Sequence, residues 1–572
     1  MKGADFIVKT LSRTGCTDLF CIPGGVILPV LYAAQETKPQ ICCHLNYHEQ
    51  ASGFAACGYA HVSGRLGCAV VTRGPGATNI VTAVAEAWQE SLPVVFITGH
   101  NATNSSNSRF NHAQEIDLTT ALSSFTKRSI RIDTAEQLLS NFPNCCFIAQ
   151  QGRKGPVFID IAGSVLRNEI DDSVAPEALM DLSCEADKPS SDFASNFDEA
   201  VRKLNKAKTP VILIGDGLRY CYYRDSELSE LLTGLGIPII SSRGSADIAS
   251  SKNYFGFVGS HGCRAAHCIL NRADVILSLG NRLDFPENSQ SFRSVYKSDL
   301  IQVDIDEREL MKHKDWKGLR ISHDVGDFIR LLNKKFSEHR GTQWTNWLSK
   351  CREVYALLEE TDCGSLVTDL SEIMKVSALS GCGAFSFDAG NNEFFCSRAY
   401  ALAKPYCEGV SVLCSKSFGT LGISLSRAIG ACIATKKRVV CFTGDQGFQL
   451  NIQELEGIVS ENLPITIVLI NNYASGMIAD TEHNRKYPQF LVDPDSGYSV
   501  PNFKKILSAY GIPSVNLAKN LKNISGPCFL EILSNNQKDL LWKIPRGARI
   551  DRMYPPLDLS LEDKLKECMN LI

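Results

Sequence analysis

Residues 444–472 constrain the fold of this chain more than any other segment. They read GDQGFQLNIQELEGIVSENLPITIVLINN and follow the apolar run RVVCFT at residues 438–443. The pattern predicts a strand, a Gly-Asp turn, a helix, a second strand over residues 465–470 and an Asn-Asn turn. In a parallel βαβ unit both strands end at the same edge of the sheet, so Asp445 and Asn472 are expected to meet there.

Oxygen atoms from Asp445 and Asn472 are ligands that suit Mg²⁺. Together with backbone carbonyls they supply half of an octahedral site, and phosphate oxygens usually complete such a site. Either turn alone is an ordinary chain reversal. However, Asn472 follows Asp445 by 27 positions, and each residue closes a strand of the buried type. The pair therefore predicts a metal-held diphosphate.

The length and composition indicate a multidomain globular protein. The chain has 572 residues, of which 44% are hydrophobic and 21% charged, so two to four domains are expected. A formal net charge of −3 argues against nucleic-acid or membrane partners. The N-terminal pattern is an amphipathic helix and not a signal peptide, which predicts a cytoplasmic protein. The 22 cysteines lack C-x-x-C spacing and are expected to be free thiols.

Strand and helix patterns alternate in three blocks, which predicts an α/β protein with three parallel-sheet domains. An acidic, polar segment separates the first block from the second, and a helical connector separates the second from the third. The three domains are expected at residues 1–168, 196–340 and 383–544. A linker at residues 169–195 and a connector at residues 341–382 separate them, and a tail at residues 545–572 follows.

Glu49 is the second candidate functional residue. It lies in YHEQA at residues 47–51, where a strand pattern passes into an apolar helix at about His48. A glutamate in the first turn of a helix is usually only a favourable partner for the helix dipole. A carboxyl group at such a junction can also exchange a proton with a bound cofactor. The position by itself leaves both interpretations open.

The spacing of the Gly-Asp and Asn-Asn turns resembles the signature of thiamine diphosphate (ThDP) enzymes, GDG followed by NN. Residues 48–79, HEQASGFAACGYAHVSGRLGCAVVTRGPGATN, resemble the amino-terminal block of acetolactate synthase and its relatives. The resemblance extends to residues 114–117, 152–161 and 417–431, and so covers all three blocks in the family order. It implies pyrimidine-binding (PYR), central Rossmann-like and diphosphate-binding (PP) domains, with ThDP-dependent 2-keto acid decarboxylase and carboligase activity.

The resemblance also implies roles for individual residues. Glu49 would hydrogen-bond N1′ of the aminopyrimidine, and Gln114 would lie beside the reacting carbonyl. The metal ligands would be Asp445, Asn472 and the backbone carbonyl of Ala474. The other cofactor contacts would be Gly25, Gly76, Asn79, Gly390, Asn391, Asn392, Leu421, Gly444, Gln446 and Gly447. Leu421 would wedge the cofactor into its bent form, and ordinary core packing is the alternative for this residue.

The resemblance carries two expectations about assembly and cofactors. In this family the carboxylate and the diphosphate site come from different subunits, which implies a homodimer or homotetramer with active sites at the subunit interface. Residues 259–262, 280–282 and 303–306 resemble places where FAD-binding members contact the flavin nucleotide. This favours bound FAD, and the alternative is a domain of the same fold that holds no flavin. The Gly-Asp-Gly at residues 215–217 is too short a motif to decide whether the domain binds a dinucleotide.

Several residues depart from the pattern of close acetolactate synthases. Gln446 replaces a glycine, Ala113 a phenylalanine, Thr481 a tryptophan and Arg73 a serine, and RLDFP at residues 282–286 replaces RFDDR. Loss of two large aromatics predicts a wider acceptor pocket. The expected reaction joins pyruvate, or a similar 2-keto acid, to a second carbonyl compound, and the alternative acceptor is a nucleotide-linked keto-sugar. A non-ligating decarboxylase, a flavin oxidase and a non-catalytic partner are the remaining alternatives.

Overall fold

The computed structural model describes residues 1–101, 113–171, 191–224, 227–284, 299–312, 318–336, 343–359, 361, 363–415, 417–515, 524–534 and 542–570. Most of the predicted linker, and Phe285 and Pro286 of the RLDFP motif, lie outside these residues. Within the described parts, 17 strands form three parallel sheets surrounded by helices. The predicted α/β fold class is therefore confirmed.

The amino-terminal sheet has the strand order β2-β1-β3-β4-β6-β5. Its strands are β1 Asp18–Cys21, β2 Cys42–Leu45, β3 Gly67–Val70, β4 Val94–His100, β5 Arg128–Ile132 and β6 Val157–Ala162. Its helices are α1 Gly3–Arg13, α2 Leu28–Glu36, α3 Glu49–Ser63, α4 Pro75–Asn79, α5 Val81–Gln89, α6 Thr119–Leu122, α7 Ala135–Gln150 and α8 Gly163–Arg167. Because β2, β1, β3 and β4 are neighbours, the loops that follow these four strands share one edge of the sheet.

The central sheet has the order β12-β11-β10-β7-β8-β9. Its strands are β7 Pro210–Ile214, β8 Ile239–Ser242, β9 Tyr254–Val258, β10 Val275–Leu279, β11 Asp299–Asp304 and β12 Gly318–Ser322. Its helices are α9 Phe193–Lys206, α10 Arg219–Arg224, α11 Leu228–Gly234, α12 Arg264–Leu270, α13 Glu307–Met311 and α14 Val325–Phe336. Two further helices, α15 Thr345–Leu358 and α16 Ser365–Leu379, lead to the third sheet.

The carboxy-terminal sheet has the order β14-β13-β15-β16-β17. Its strands are β13 Ala384–Phe387, β14 Ser411–Leu413, β15 Val439–Gly444, β16 Ile465–Asn471 and β17 Cys528–Leu533. Its helices are α17 Asn391–Ala403, α18 Ile423–Thr435, α19 Asp445–Leu450, α20 Leu455–Ser460, α21 Gly476–Arg485 and α22 Phe503–Ala509. The last helix, α23 Leu559–Asn570, packs on the connector helix α15. Every strand pair in this sheet is parallel.

Helices α3 and α18 join the two terminal domains of the chain along a shared apolar core. Two glycines allow their backbones to touch: a Cβ on Gly58 would lie 2.2 Å from the carbonyl oxygen of Arg427, and one on Gly430 would lie 1.8 Å from that of Ala55. Below this contact, the fully buried Arg427 guanidinium donates to the Glu86 carboxylate at 2.7 Å. The two terminal domains are therefore packed at van der Waals distance.

Four strands, β5, β9, β12 and β17, were not assigned from the sequence patterns, and all four lie at sheet edges. Edge strands are buried on fewer sides, so their apolar runs are short and interrupted; the burial of β5 is intermediate along most of its length. Among the described residues, no helix is both long and apolar enough to cross a bilayer. The described cysteines are free thiols, most of them buried.

Candidate active site

The predicted meeting of Asp445 and Asn472 is present in the structure. Strands β15 and β16 pair in parallel, with Gly444 opposite Ile470, so both chains leave the sheet at the same edge. Asp445 begins α19 directly after β15, and Asn472 follows the last residue of β16. Because β15 and β16 are neighbours, as the βαβ pattern predicts, the two turns come together.

Three polar atoms converge at this edge. An amide atom of Asn472, its oxygen in one of the two orientations of the amide, lies 3.3 Å from Oδ2 of Asp445 and 2.9 Å from the carbonyl oxygen of Ala474. An octahedral Mg²⁺ site with bonds of about 2.1 Å has adjacent ligand oxygens about 3.0 Å apart. Without a cation, the Asn472 amide would turn so that its nitrogen donates to both oxygens. The set of oxygens therefore fits a small hard cation.

Asp445 is held in place for such a role. The hydroxyl of Tyr498 donates to Oδ1 of Asp445 at 2.9 Å, which leaves Oδ2 directed toward Asn472. Burial raises the pKa of Asp445 above its ordinary value, and the Tyr498 hydrogen bond opposes this effect. A bound cation would favour the ionised carboxylate.

Asp388, at the end of β13, organises the loops around this corner. Its buried carboxylate accepts hydrogen bonds from the Gly422 backbone N–H at 2.8 Å and from the Thr443 hydroxyl at 3.0 Å. A Cβ on Gly447 would lie 1.8 Å from Oδ2 of Asp388. Gly447 therefore provides the close backbone approach that the exposed Gln446 cannot provide.

The next loop starts α17 at the same edge. Gly390 has φ +93° and precedes Asn391, whose Nδ2 donates to Asp480 at 2.8 Å. A Cβ on Gly444 would lie 2.4 Å from Nδ2 of Asn392, so this loop touches the Gly-Asp turn. Leu421 lies before α18, and 36% of its surface is exposed in the isolated chain.

Glu49 begins α3 at the corresponding edge of the amino-terminal sheet. Its Oε2 accepts a hydrogen bond from Nδ2 of Asn79 at 2.9 Å, and its Oε1 would lie 3.2 Å from a Cβ on Gly76. Gly25 lies in the exposed loop after β1, between the loops that carry Glu49 and Gly76. The structure therefore brings together the residues expected around Glu49.

Gln114 lies beyond β4 at this edge, with φ +63°, and is exposed in the isolated chain. Its backbone oxygen would be 2.7 Å from a Cβ on Gly74, so it borders the Gly-Pro-Gly turn. The guanidinium of Arg73 points toward the carboxylate of Glu115, with 3.9 Å between Nη1 and Oε1. Arg73 is thus near Gln114, and its charge is partly balanced by Glu115.

The two sets of residues form separate half-sites. We call the group around Glu49 the amino-terminal half-site and the group around Asp445 the carboxy-terminal half-site. Both are flanked by large apolar side chains that are exposed in the isolated chain: Leu45, Tyr47, Ile116, Phe418, Leu450, Tyr473, Ile478, Phe490 and Leu491. Exposed apolar patches of this kind usually mark an interface or a ligand surface.

The central domain contains a cavity of about 340 Å³ at its boundary with the amino-terminal domain. Residues 215–217, 280–282 and 304–305 line it, and of residues 259–262 Gly259 does. On one wall Arg153 pairs with Asp306 at 3.1 Å and with Glu309 at 2.6 Å. The wall therefore carries a guanidinium, which can bind phosphate when it is free to do so, and two carboxylates that pair with it in this structure.

Sequence patterns missed several residues that shape these sites. Asp388 was visible as an acidic residue directly after a strand, the same signal that revealed Asp445, but it has no partner at a recognisable spacing. Glu86 and Glu454 are buried carboxylates on helical segments, and each contacts a distant part of the chain. Helical spacing alone gives no indication that such a side chain is buried.

Comparison with protein families agrees with this architecture. Residues 1–121 match the thiamine pyrophosphate enzyme N-terminal TPP binding domain, residues 197–332 the central domain and residues 388–529 the C-terminal TPP binding domain. These matches cover more than two thirds of the chain. The chain therefore belongs to the thiamine pyrophosphate (ThDP) enzymes.

Relatives of known function narrow the class. The chain is 29% identical to acetolactate synthase 1 of Zea mays, with 96% of this chain and 88% of the maize protein covered. It is 29% identical to the acetolactate synthase large subunit of Lactococcus lactis, with 100% and 98% covered. It is also 29% identical to the isozyme 1 large subunit of Escherichia coli, with 96% of each chain covered. The protein is thus a ThDP-dependent enzyme of the acetolactate synthase type.

Proposed function

We propose that the protein is a Mg²⁺-dependent 2-keto acid decarboxylase and carboligase that transfers a two-carbon acyl unit from pyruvate to a second carbonyl compound. The observation that carries the proposal is that Asp445, Asn472 and the Ala474 carbonyl come together at one edge of the carboxy-terminal sheet. Asp388 holds the Gly422 loop at the same edge. Release of CO₂ from pyruvate leaves the acyl unit, which forms a carbon–carbon bond with the acceptor carbonyl as one proton is taken up.

ThDP, when bound, supplies an electron sink for the acyl unit after loss of CO₂. In this proposal Asp445, Asn472 and the Ala474 carbonyl would hold Mg²⁺, which would neutralise the charge of the diphosphate. The Glu49 carboxyl exchanges a proton at N1′ of the aminopyrimidine, and the Asn79 amide fixes its orientation by the hydrogen bond at 2.9 Å. The exposed Leu421 would pack against the cofactor.

We further propose that the active unit is a homodimer or homotetramer in which one subunit supplies Glu49 and another supplies Asp445. Support comes from the exposed apolar side chains around both half-sites, such as Tyr47 and Phe490, which is 67% exposed. Burying this surface against a second copy would complete both half-sites at once. Sedimentation with and without ThDP and Mg²⁺ tests the assembly.

The decisive variant is Glu49→Gln, which keeps the shape of the side chain and removes the titratable proton. We expect pyruvate turnover to fall by about 100-fold or more, the range in which general acid–base groups contribute, while ThDP binding stays within about threefold of wild type. Glu36→Gln, at the exposed end of α2, is the matched control. Full pyruvate turnover by Glu49→Gln would refute the mechanism.

A second candidate is the same chemistry with a larger acceptor, such as a nucleotide-linked keto-sugar. Its support is the presence of a small residue near each half-site. Ala113 is next to Gln114, and Thr481 lies on α21. Ala113→Phe should lower turnover of bulky acceptors and spare a small ketone. Equal effects on both acceptors would contradict a widened pocket. Mass spectrometry of the products separates ligation from simple release of aldehyde.

We also propose that the central cavity binds FAD. The support is its lining by residues 215–217, 280–282 and 304–305, together with Arg153 and its carboxylate partners. Heat extraction of the purified protein, followed by flavin fluorescence, tests this assignment. Bleaching of the flavin on addition of pyruvate would instead favour an oxidase.

A further inference from the structure

The carboxyl group of Glu454 is fully buried and faces the turn that leads into Glu49. Its Oε2 accepts a hydrogen bond from Nδ2 of Asn46 at 3.0 Å, and its Oε1 accepts one from the backbone N–H of Tyr47 at 3.0 Å. Asn46 is itself buried, and its backbone N–H donates to the carbonyl of Cys21 at 3.1 Å. The turn between β2 and α3 is therefore attached to the carboxy-terminal domain through one carboxylate.

Residues beyond Glu454 continue this attachment along β2. Glu454, Gly457 and Glu461 are spaced so that they share one face of the helical segment that contains α20. A Cβ on Gly457 would lie 3.2 Å from the carbonyl oxygen of Leu45, and Glu461 bonds to the His44 ring at 2.8 Å. The helical segment thus contacts three consecutive residues at the end of β2 and just after it, His44, Leu45 and Asn46. The contact made by Glu454 is the nearest of the three to Glu49.

The Glu49 carboxyl has little freedom to move. Asn79 holds one of its oxygens, and the other lies so close to Gly76 that a side chain there would be in tight contact. Proton transfer requires the carboxyl to lie within about 2.6–3.2 Å of its partner, and a misplacement of about 1 Å can cost roughly 100-fold in rate. Rotation of the turn that precedes Glu49 would produce such a displacement.

We infer that Glu454 is a positioning residue: its carboxylate fixes the turn at residues 46–48 and thereby places Glu49 for proton exchange with the cofactor. The inference rests on the proposed role of Glu49. Burial raises the pKa of Glu454 to about 7, and the hydrogen bonds from Asn46 and Tyr47 act against this rise. The carboxylate therefore depends on the turn as much as the turn depends on the carboxylate.

Glu454→Leu tests the inference, because it removes both acceptors and leaves two buried donors without partners. Glu454→Gln is the rescue variant: its amide oxygen can accept from Tyr47, and its amide nitrogen can donate to Asn46 once the Asn46 amide turns over. Glu461→Gln is the matched control, since it alters a carboxylate on the same helical face that contacts β2 farther from Glu49. Asn46→Ala replaces Glu454→Leu if the leucine variant does not fold.

Two measurements distinguish a role of Glu454 in positioning Glu49 from a role only in holding the two terminal domains together. Amide hydrogen exchange of the apoprotein, followed by mass spectrometry, reports on peptides that cover residues 44–54. Exchange of the C2 proton of ThDP in the Mg²⁺-loaded enzyme, followed by acid quench and NMR, reports on the proton chemistry without substrate. Glu49→Gln is measured in parallel.

We expect Glu454→Leu to speed amide exchange in this segment and to slow C2 proton exchange by about tenfold or more, the effect of roughly 1.4 kcal/mol. Glu454→Gln and Glu461→Gln should stay within about threefold of wild type. The inference would be overturned if Glu454→Leu exchanged the C2 proton at the wild-type rate, with Asn46→Ala taking its place where the leucine variant does not fold. It would also be overturned if Glu461→Gln slowed C2 exchange as much as Glu454→Leu does. Wild-type C2 exchange in Glu49→Gln would instead refute the proposed role of Glu49.

Discussion

Replacing Gly430 with alanine tests the contact between α3 and α18 most directly. The new methyl group would lie 1.8 Å from the carbonyl oxygen of Ala55, and real Cβ contacts are not closer than 3.0 Å, so the helices must separate by about 1.2 Å. Because the obstacle is backbone, no side chain can rotate away. We take the upper end of the usual overpacking cost, about 3 kcal/mol.

Alanine also lowers the entropy of the unfolded chain, which offsets about 0.5–1 kcal/mol of that cost. The net loss of about 2 kcal/mol should lower the first melting transition by about 4–8 °C. Differential scanning fluorimetry of the holoenzyme measures this shift. The control is Gly234→Ala at the end of α11, where the nearest atom to a new Cβ is Nδ2 of Asn333 at 3.5 Å. If the first melting transition of Gly430→Ala came at the same temperature as those of Gly234→Ala and wild type, the close contact between α3 and α18 would be wrong.

Three further predictions concern charged groups. Asp445→Ala should weaken ThDP binding in the presence of Mg²⁺ by on the order of tenfold or more; an unchanged dependence of fluorescence quenching on Mg²⁺ would contradict the metal site. Arg427→Met leaves the buried Glu86 carboxylate uncompensated and should cost about 3–5 kcal/mol in denaturant unfolding, with recovery when Glu86→Gln is added. Burial lowers the pKa of His44, but hydrogen bonds to Asp18 and Glu461 outweigh it and raise the pKa from 6.5 to about 9. The imidazolium should therefore contribute about 3 kcal/mol of stability below pH 6.5, and this contribution is lost as the pH rises through 9. Wild type and His44→Gln should accordingly differ most at pH 6 and least above pH 9.

Local chemistry was enough to predict the candidate metal pair. Asp445 and Asn472 each follow a run of β-branched and apolar residues, and such runs are typical of strands buried on both faces of a parallel sheet. In parallel sheets successive strands end at the same edge, so the turns needed only to follow neighbouring strands. The structure confirms that β15 and β16 are neighbours. The start of α3 at Glu49 was predicted within one residue, because a strand pattern changes there to an apolar segment with helical spacing.

The contacts of Asp388, Glu454 and Arg427 were not predictable in this way. Each of these side chains is buried by a segment that is distant in sequence: Asp388 by the Gly422 and Gly447 loops, Glu454 by the turn after β2. A charged residue on a helix is usually solvated, and nothing in its neighbours shows that another domain covers it. The edge strands β5, β9, β12 and β17 were also missed. Each of them pairs with one neighbouring strand instead of two.

Periodicity and short-range turn chemistry were therefore sufficient to predict three parallel-sheet domains, the Gly-Asp and Asn-Asn turns, and a glutamate at a strand-to-helix junction. Only the folded protein shows how α3 packs on α18, how Asp388 contacts the Gly422 and Gly447 loops and how Glu454 holds the turn before Glu49. Strands and turns are specified by neighbouring residues, whereas burial of a charge depends on which distant backbone groups donate hydrogen bonds to it.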